Sequence, residues 1–256
     1  MTAPGFVDWL LGTTVVLAAA AYLRAAASLR RRGDTWPRRR DVAFAAGGFA
    51  FLAALLVPVP GGPFTAHMAQ HVVLAMAAPL LLVLGRPVTL MLRVAPSSVR
   101  RGVLAVAHSR AAVVLLFPPL AAVLDVGGLW LLYRTSLASA THHDEWLRSA
   151  VQLHVVLAGL LFTFVVCQLD PVRRRWNVVW RGLTLLGAGA AHAILAKTLY
   201  AWPPPGTNFT AADVQGGAQI MYYGGDLVEL ALAAALARQW YVRSGRARRF
   251  ASRGFG

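Results

Sequence analysis

The segment HMAQH places two histidines one helical turn apart, with His67 and His71 flanking Met68. An i, i+4 pair projects both imidazoles from one face of a helix, a spacing that can chelate a metal ion. The segment lacks the glutamate of the HExxH zinc motif, so the pair alone is a weak signal for a metal site. Met68 points away from the face of its two neighbours, and we expect it to pack rather than to bind metal.

The composition indicates a membrane protein. Of the 256 residues, 57% are hydrophobic and 14% are charged, the mean hydropathy is +0.56, and the apolar runs are long enough to cross a bilayer. Lysine and arginine outnumber aspartate and glutamate 25 to 10, but the arginines fall between apolar runs, which argues against nucleic-acid binding. Cys167 is the only cysteine, so any metal site must use other side chains.

The apolar runs predict an all-α fold, a polytopic membrane bundle with seven transmembrane helices. We expect residues 1–256 to form one domain that ends in a short basic tail from about 242 to 256. A window of about 20 residues places the predicted spans near residues 6–29, 42–57, 64–84, 111–133, 147–169, 182–202 and 217–241.

The arginines predict how the bundle is oriented. Arginine clusters follow the first, third and fifth predicted spans and fill the tail, whereas the alternate linkers contain few arginines or none. Because positive residues stay on the cytoplasmic side, the N-terminus is expected outside and the C-terminus in the cytoplasm. Since arginine supplies every basic residue except Lys197, we interpret the chain as a multi-pass protein of a bacterial plasma membrane.

This orientation brings four histidines to the outer half of the bilayer. His71 lies about 6 Å deeper than His67, and His154 and His192 are about 10 Å and 12 to 15 Å from the outer ends of their helices. An ionisable group within a span is costly unless it faces the bundle interior and has a partner. The common depth predicts one metal site, formed by His67, His71, His154 and His192. The alternative for each is a hydrogen bond to a carbonyl of a neighbouring helix.

Several other side chains are candidates for accessory roles. The accessory metal ligands proposed on the outer side are Asp125, Asp213, Met221, His142 and His143. Packing is the alternative for the methionine, and simple exposure in a loop is the alternative for His142 and His143. Asp226 and Glu229 share one face of the last helix in the middle of the membrane. We expect them to pair with Lys197 or an inner arginine, as a structural clamp or in a proton-linked role.

The chain resembles the CtaG family of caa3-type cytochrome c oxidase assembly factors. The resemblance lies in HMAQHVVLAMAAPLLLVLGRPVTL, LHVVLAGLLFTFVVCQLDP, Arg181, AHAILA and DVQGGAQIMYYGGDL. It implies a multi-spanning factor that is needed to make active haem-copper oxidase and that handles copper. By position, the residues of the family motifs are His67, His71, His154, His192 and Asp213. The chain departs from the pattern at Tyr222 or Tyr223, where the family usually has tryptophan, and at Asp226, where it usually has glutamate.

The leading hypothesis is a non-enzymatic assembly factor that receives a copper ion from the outer face and delivers it to the oxidase. Its partners would be oxidase subunits and the lipid bilayer, with a homo-oligomer left open. Imidazole also suits zinc, so the copper assignment depends on the resemblance and on the outward position. Two alternatives remain open: a redox protein with His71 and His154 as axial haem ligands, and a copper transporter in which Asp226 and Glu229 continue the path inward.

Overall fold

The computed structural model describes residues 5–253, without the side chains of Phe6, Arg243 and residues 245–253. Regular structure in this part of the chain is entirely helical, which confirms the predicted all-α class. The helices are α1 (Phe6–Arg31), α2 (Arg38–Leu56), α3 (Pro63–Leu84), α4 (Pro87–Val94), α5 (Ser97–Ala107), α6 (Arg110–Leu115), α7 (Pro118–Arg134), α8 (Leu137–His143), α9 (Glu145–Cys167), α10 (Val178–Ala201) and α11 (Ala211–Arg253).

Within the described residues, five helices are long and apolar enough to cross a membrane, namely α1, α3, α9, α10 and the first 32 residues of α11. A sixth span is present if α7 and α8 count as one. The helix α2 falls short because the first four of its 19 residues are charged. Helix α11 continues through most of the predicted basic tail, of which residues 254–256 lie outside the described part. The number of seven spans therefore stays a prediction.

The predicted fourth span, near 111–133, is not one continuous helix. Pro118 and Pro119 start a new helix at α7, and Phe117 before them is extended, because proline cannot continue a helix and disfavours a helical residue ahead of it. The short α6 precedes this break, and α8 then bends by 75° from α7. Hydrophobicity alone does not detect such a break, since all these segments are apolar.

Helix α3 is the centre of the bundle. It packs against α2, α9 and α11, while α10 packs along α11 and α1 packs along α2. Two clusters of buried side chains lie on either side of the middle of the bundle. One contains Phe64, Met68 and Met221, and the other contains Leu80 and Phe162. Met68 is fully buried, in agreement with the packing role expected for it.

The end of α9 is fastened by buried polar side chains. Arg181 of α10 is fully buried and donates to the carbonyls of Val166 and Cys167, which have no partner within α9 because the helix ends there. Asp170 accepts a 2.7 Å hydrogen bond from the backbone N–H of Thr89. Burial raises the pKa of Asp170, although the hydrogen bonds from Thr89 oppose that shift. Asp170 thus joins the segment after α9 to Thr89 of α4.

Two helices of the bundle contain a π-helical segment, Val72–Ala77 in α3 and Val123–Gly127 in α7. Such wide turns are rare and occur often at functional sites. Helix α9 crosses the first of them at Gly159, where an added Cβ would lie 2.0 Å from the carbonyl oxygen of Ala75. Only glycine permits this approach between the two backbones.

A methyl group at Gly159 should therefore force α3 and α9 apart. We expect Gly159→Ala to destabilise the protein by about 1 to 3 kcal/mol, the usual cost of overpacking, and to lower the melting temperature measured in detergent. Gly187→Ala is the matched control, because nothing lies within 4 Å of its Cβ. An unchanged melting temperature for Gly159→Ala would contradict the close contact.

Candidate metal site

His71 of α3 and His192 of α10 face each other inside the bundle. Their ring centres are 6.1 Å apart, and the rings are tilted by 33°. Both side chains are buried, at 6% and 2% exposure. None of their four ring nitrogens has a hydrogen-bond partner among the described residues. Since a buried polar group without a partner costs about 1 to 3 kcal/mol, these two rings are the centre of the candidate site.

A cavity of about 20 Å³ opens between the two rings. A space of this size holds about one water molecule or one ion. Five helices line it, and its polar walls include Asp125 of α7 and Glu229 of α11 as well as the two imidazoles. Both π-helical segments reach this cavity, through Met76 in α3 and Asp125 in α7. The wide turns therefore shape the wall of the cavity.

Glycines make room for the ionisable side chains around this cavity. An added Cβ at Gly225 would lie 2.4 Å from Cε1 of His192, and one at Gly189 would lie 2.3 Å from Oε2 of Glu229. The task of glycine at these two positions is to leave space for an imidazole and a carboxylate.

Glu229 lies beside His192 rather than beside a lysine or an arginine. Its Oε1 lies 3.5 Å from Nδ1 of His192. Lys197, the expected partner, is exposed and lies over the ring of Tyr222, 5.2 Å from the ring centre. Asp226 does not line the cavity. Asp226 and Glu229 therefore differ in their surroundings, and Glu229 is the one at the candidate site.

His67 lies beside Tyr133 rather than in the cavity. Its Nε2 and the tyrosine hydroxyl are 2.8 Å apart, and the ring is exposed on the surface of the bundle. Tyr133 was missed at the level of sequence. The available signal was a phenol hydroxyl in the same predicted half of the membrane as the histidines.

His154 binds a backbone carbonyl of a neighbouring helix. Its Nε2 is 3.1 Å from the carbonyl oxygen of Leu124, within the π-helical segment of α7. Because a carbonyl oxygen only accepts, Nε2 of His154 must carry the proton. This is the alternative that the sequence left open for each histidine. The ring keeps Nδ1 as the one nitrogen able to bind a metal.

Asp213 closes the start of α3. Its two carboxylate oxygens accept hydrogen bonds of 2.9 Å from the backbone N–H groups of Phe64 and Thr65, which have no partner within their own helix. A Cβ at Gly62 would collide with this carboxylate, 2.2 Å from its Cγ. The structure therefore places Asp213 in an interhelical cap that joins α11 to α3.

The remaining candidates lie apart from the cavity. Met221 is fully buried in the cluster around Phe64, as the packing alternative predicts, and His142 and His143 are exposed in α8. In the part of the chain that the structure describes, no group of three or more His, Cys, Asp or Glu side chains is arranged to hold a metal ion. The structure thus brings His71 and His192 together, and it does not bring His67 or His154 to them.

Comparison with known proteins places these residues in a family. The profile of the cytochrome c oxidase caa3 assembly factor family (Caa3_CtaG) matches residues 20–243. The chain belongs to this family. The match covers α3, α7, α10 and most of α11, so all residues of the candidate site lie within the Caa3_CtaG region, and the multi-pass location in a bacterial plasma membrane follows from the family and the apolar helices.

Proteins similar to this chain occur in mycobacteria. The chain is 35% identical over 178 residues to uncharacterized proteins of Mycobacterium bovis and Mycobacterium tuberculosis, a match that covers 66% of this chain and 27% of each relative. It is 31% identical over 202 residues to an uncharacterized protein of Mycobacterium leprae, which covers 75% of this chain and 31% of that protein. The chain thus spans less than a third of the length of these relatives. No solved structure matches it.

Asp213 can be tested separately from the cavity. We expect Asp213→Asn to lower stability by about 1 to 3 kcal/mol, because an amide presents only one acceptor oxygen to two N–H groups. Copper bound per protein, measured by elemental analysis, should stay unchanged, since the carboxylate caps a helix and lies away from His71 and His192. Loss of copper without loss of thermal stability would instead make Asp213 a ligand.

Proposed function

We propose that this chain is a non-enzymatic assembly factor of haem-copper oxidase that holds a copper ion as cargo between His71 and His192. The observation that carries the proposal is the pair of buried imidazoles whose four nitrogens have no hydrogen-bond partner among the described residues. The family supports the oxidase as the client. Oxidase subunits are thus the proposed partners, and the bilayer is the surrounding medium.

The two rings fit a small ion. Imidazoles that share one ion through bonds of about 2.0 to 2.1 Å leave their ring centres roughly 6 Å apart, close to the observed 6.1 Å. Imidazole nitrogen is a ligand that copper and zinc both accept. Copper is preferred over zinc because the family assembles a haem-copper oxidase.

His67 and His154 take a place on the route to the pair in this proposal. His67 lies one turn before His71 on the same face of α3, so an ion that comes from the outer face meets His67 first. His154 and Asp125 belong to neighbouring positions of α9 and α7, since His154 contacts the carbonyl of Leu124. The full four-histidine set is thus proposed as an entry path that ends at the buried pair.

A haem between these helices is disfavoured by volume. Pockets for ligands of that size occupy about 300 to 1,000 Å³, whereas the cavity between the imidazoles is about 20 Å³. A small ion needs no such space. Transport of copper across the membrane is the competing outcome, because Glu229 lies on the inward side of His192 along the proposed route.

The histidine pair is tested by copper binding. We expect His71→Ala and His192→Ala each to remove a proposed ligand of Cu(I). Loss of a residue that only hydrogen-bonds to a metal ligand costs roughly 10- to 100-fold in affinity, and we expect each variant to weaken Cu(I) binding by more than that. The measurement is competition with a Cu(I) chelator on purified protein, followed by oxidase activity in host membranes that carry each variant.

The control for the histidine test is His108→Ala. His108 is exposed, and its hydrogen bonds to Leu104 and Arg173 use its backbone, which the substitution keeps. This variant should bind copper and support the oxidase like the natural chain. If the natural protein bound no copper, or if His71→Ala left oxidase activity intact, the proposal would fail. Copper uptake into vesicles that contain the purified protein would favour transport instead.

We also propose seven crossings, with the N-terminus outside and the C-terminus in the cytoplasm. The arginine-rich linkers support it, as do exposed tryptophans at both ends of the spans, such as Trp146 at the start of α9 and Trp240 in α11, because tryptophan collects at membrane interfaces. In this arrangement α2 and the bent α7–α8 pair both cross.

The orientation can be read by cysteine labelling. Cys167 is buried, so the natural chain should react little with a membrane-impermeant maleimide. We expect Asn208→Cys, at an exposed position in the loop between α10 and α11, to be labelled in intact cells. Ser98→Cys, in α5, should be labelled only after the membrane is opened. Labelling of Ser98→Cys in intact cells would reverse the proposed orientation.

A further inference from the structure

A larger cavity lies at the end of the bundle where α9 ends and α10 begins. Its volume is about 620 Å³, and its walls are Arg110, Val113 and Val114 of α6 together with Arg173 and Arg174 of the loop after α9. We refer to these five residues as the arginine cleft. Three guanidinium groups thus meet at a place with two apolar side chains.

The charge of the arginine cleft is not neutralised within the described residues. No acidic side chain lines the cleft, and the ion pairs of the described region use other arginines: Arg30, Arg93 and Arg148. Like charges that converge without a counter-charge repel one another, and an anion between them relieves that repulsion. The cleft therefore favours an anionic ligand.

Two of the guanidinium groups are already held in position. Arg173 donates from one terminal nitrogen to the carbonyl of His108 at 2.9 Å, and the guanidinium of Arg174 lies over the ring of Trp176 at 4.3 Å. Arginine carries five N–H donors, so these contacts leave most donors available. Arginines held in this way bind phosphate through paired hydrogen bonds at a low cost in conformational entropy.

The apolar wall indicates that the ligand also has a hydrocarbon part. Val114 is exposed beside the arginines, and Leu115 after it is exposed as well. The cleft lies next to the ends of α9 and α10, which both qualify as spans, so it sits at the level of lipid headgroups. Basic pockets between spanning helices at this level bind anionic headgroups.

We propose that the arginine cleft binds the phosphate of an anionic phospholipid headgroup, with the acyl chain along Val113 and Val114. This site is separate from the histidine pair and does not depend on copper handling. A lipid there would fix α6 against the loop between α9 and α10 at the membrane surface.

The test is lipid binding to the full chain, purified in a neutral detergent and analysed by native mass spectrometry. We expect phosphatidylglycerol to bind and to raise the melting temperature, whereas phosphatidylcholine binds at least about tenfold more weakly. Arg173→Gln combined with Arg174→Gln should weaken phosphatidylglycerol binding by roughly tenfold or more. If that double variant does not fold, the two single variants replace it, each expected at about threefold.

The matched control is Arg100→Gln combined with Arg101→Gln. It removes the same charge from exposed residues of α5 and should leave phosphatidylglycerol binding nearly unchanged. Equal losses in the two double variants would overturn the proposal, because binding would then follow net charge rather than the cleft. Displacement of the lipid by millimolar inorganic phosphate would also overturn it and would assign the cleft to free phosphate.

Discussion

Two imidazole rings in the apolar interior, with no hydrogen bond to any of their nitrogens among the described residues, impose the main constraint on this bundle. Rings this close require α3 and α10 to approach α11 without side chains in the way, and Gly225 supplies that space beside His192. The π-helical segment of α3 begins directly after His71. The helix thus changes its winding where the cavity starts, and Gly159 allows α9 to follow that wider turn closely.

The other buried polar groups of the bundle contrast with this pair. Asp213 binds two backbone N–H groups, Asp170 binds Thr89, and Arg181 binds carbonyls at the end of α9. Each of these side chains serves a helix end, where backbone groups lack partners. These hydrogen bonds stabilise the frame. His71 and His192 make no hydrogen bond through their ring nitrogens within the described residues, and the proposed ion would bind there.

The frame and the site occupy different parts of the same helices. Helix α9 passes the cavity near Phe162 and Thr163 and reaches the Arg181 contacts at Val166 and Cys167. Helix α10 begins near that fastened end and carries His192 further along. The contacts at the end of α9 therefore fix the position of α10, and with it the depth of the His192 imidazole in the bundle. A site for a single small ion requires side chains that are held in place in this way.

The sequence by itself determined the helical membrane class and the residues that deserved attention. An apolar run long enough to cross a bilayer forms a helix, because every backbone group there must find a hydrogen-bond partner within the protein. An ionisable side chain inside such a run costs free energy unless it has a function or a partner, so it is a candidate for a functional role. His71, His192, Asp125 and Glu229 were all found in this way. The resemblance to the family was also readable from short motifs around these residues, and the family match over residues 20–243 confirms it.

Only the tertiary structure decided which of those residues meet. Depth along a helix follows from counting residues, but the direction a side chain faces depends on how each helix is rotated and where it breaks. The proline break before α7 and the two π-helical segments shift that rotation, and no hydrophobic pattern records them. His154 therefore reaches a carbonyl and Asp213 a helix start, whereas His192 reaches His71. Residues at the same predicted depth can face different directions, because each helix has its own rotation about its axis. Only the packing of the helices sets that rotation.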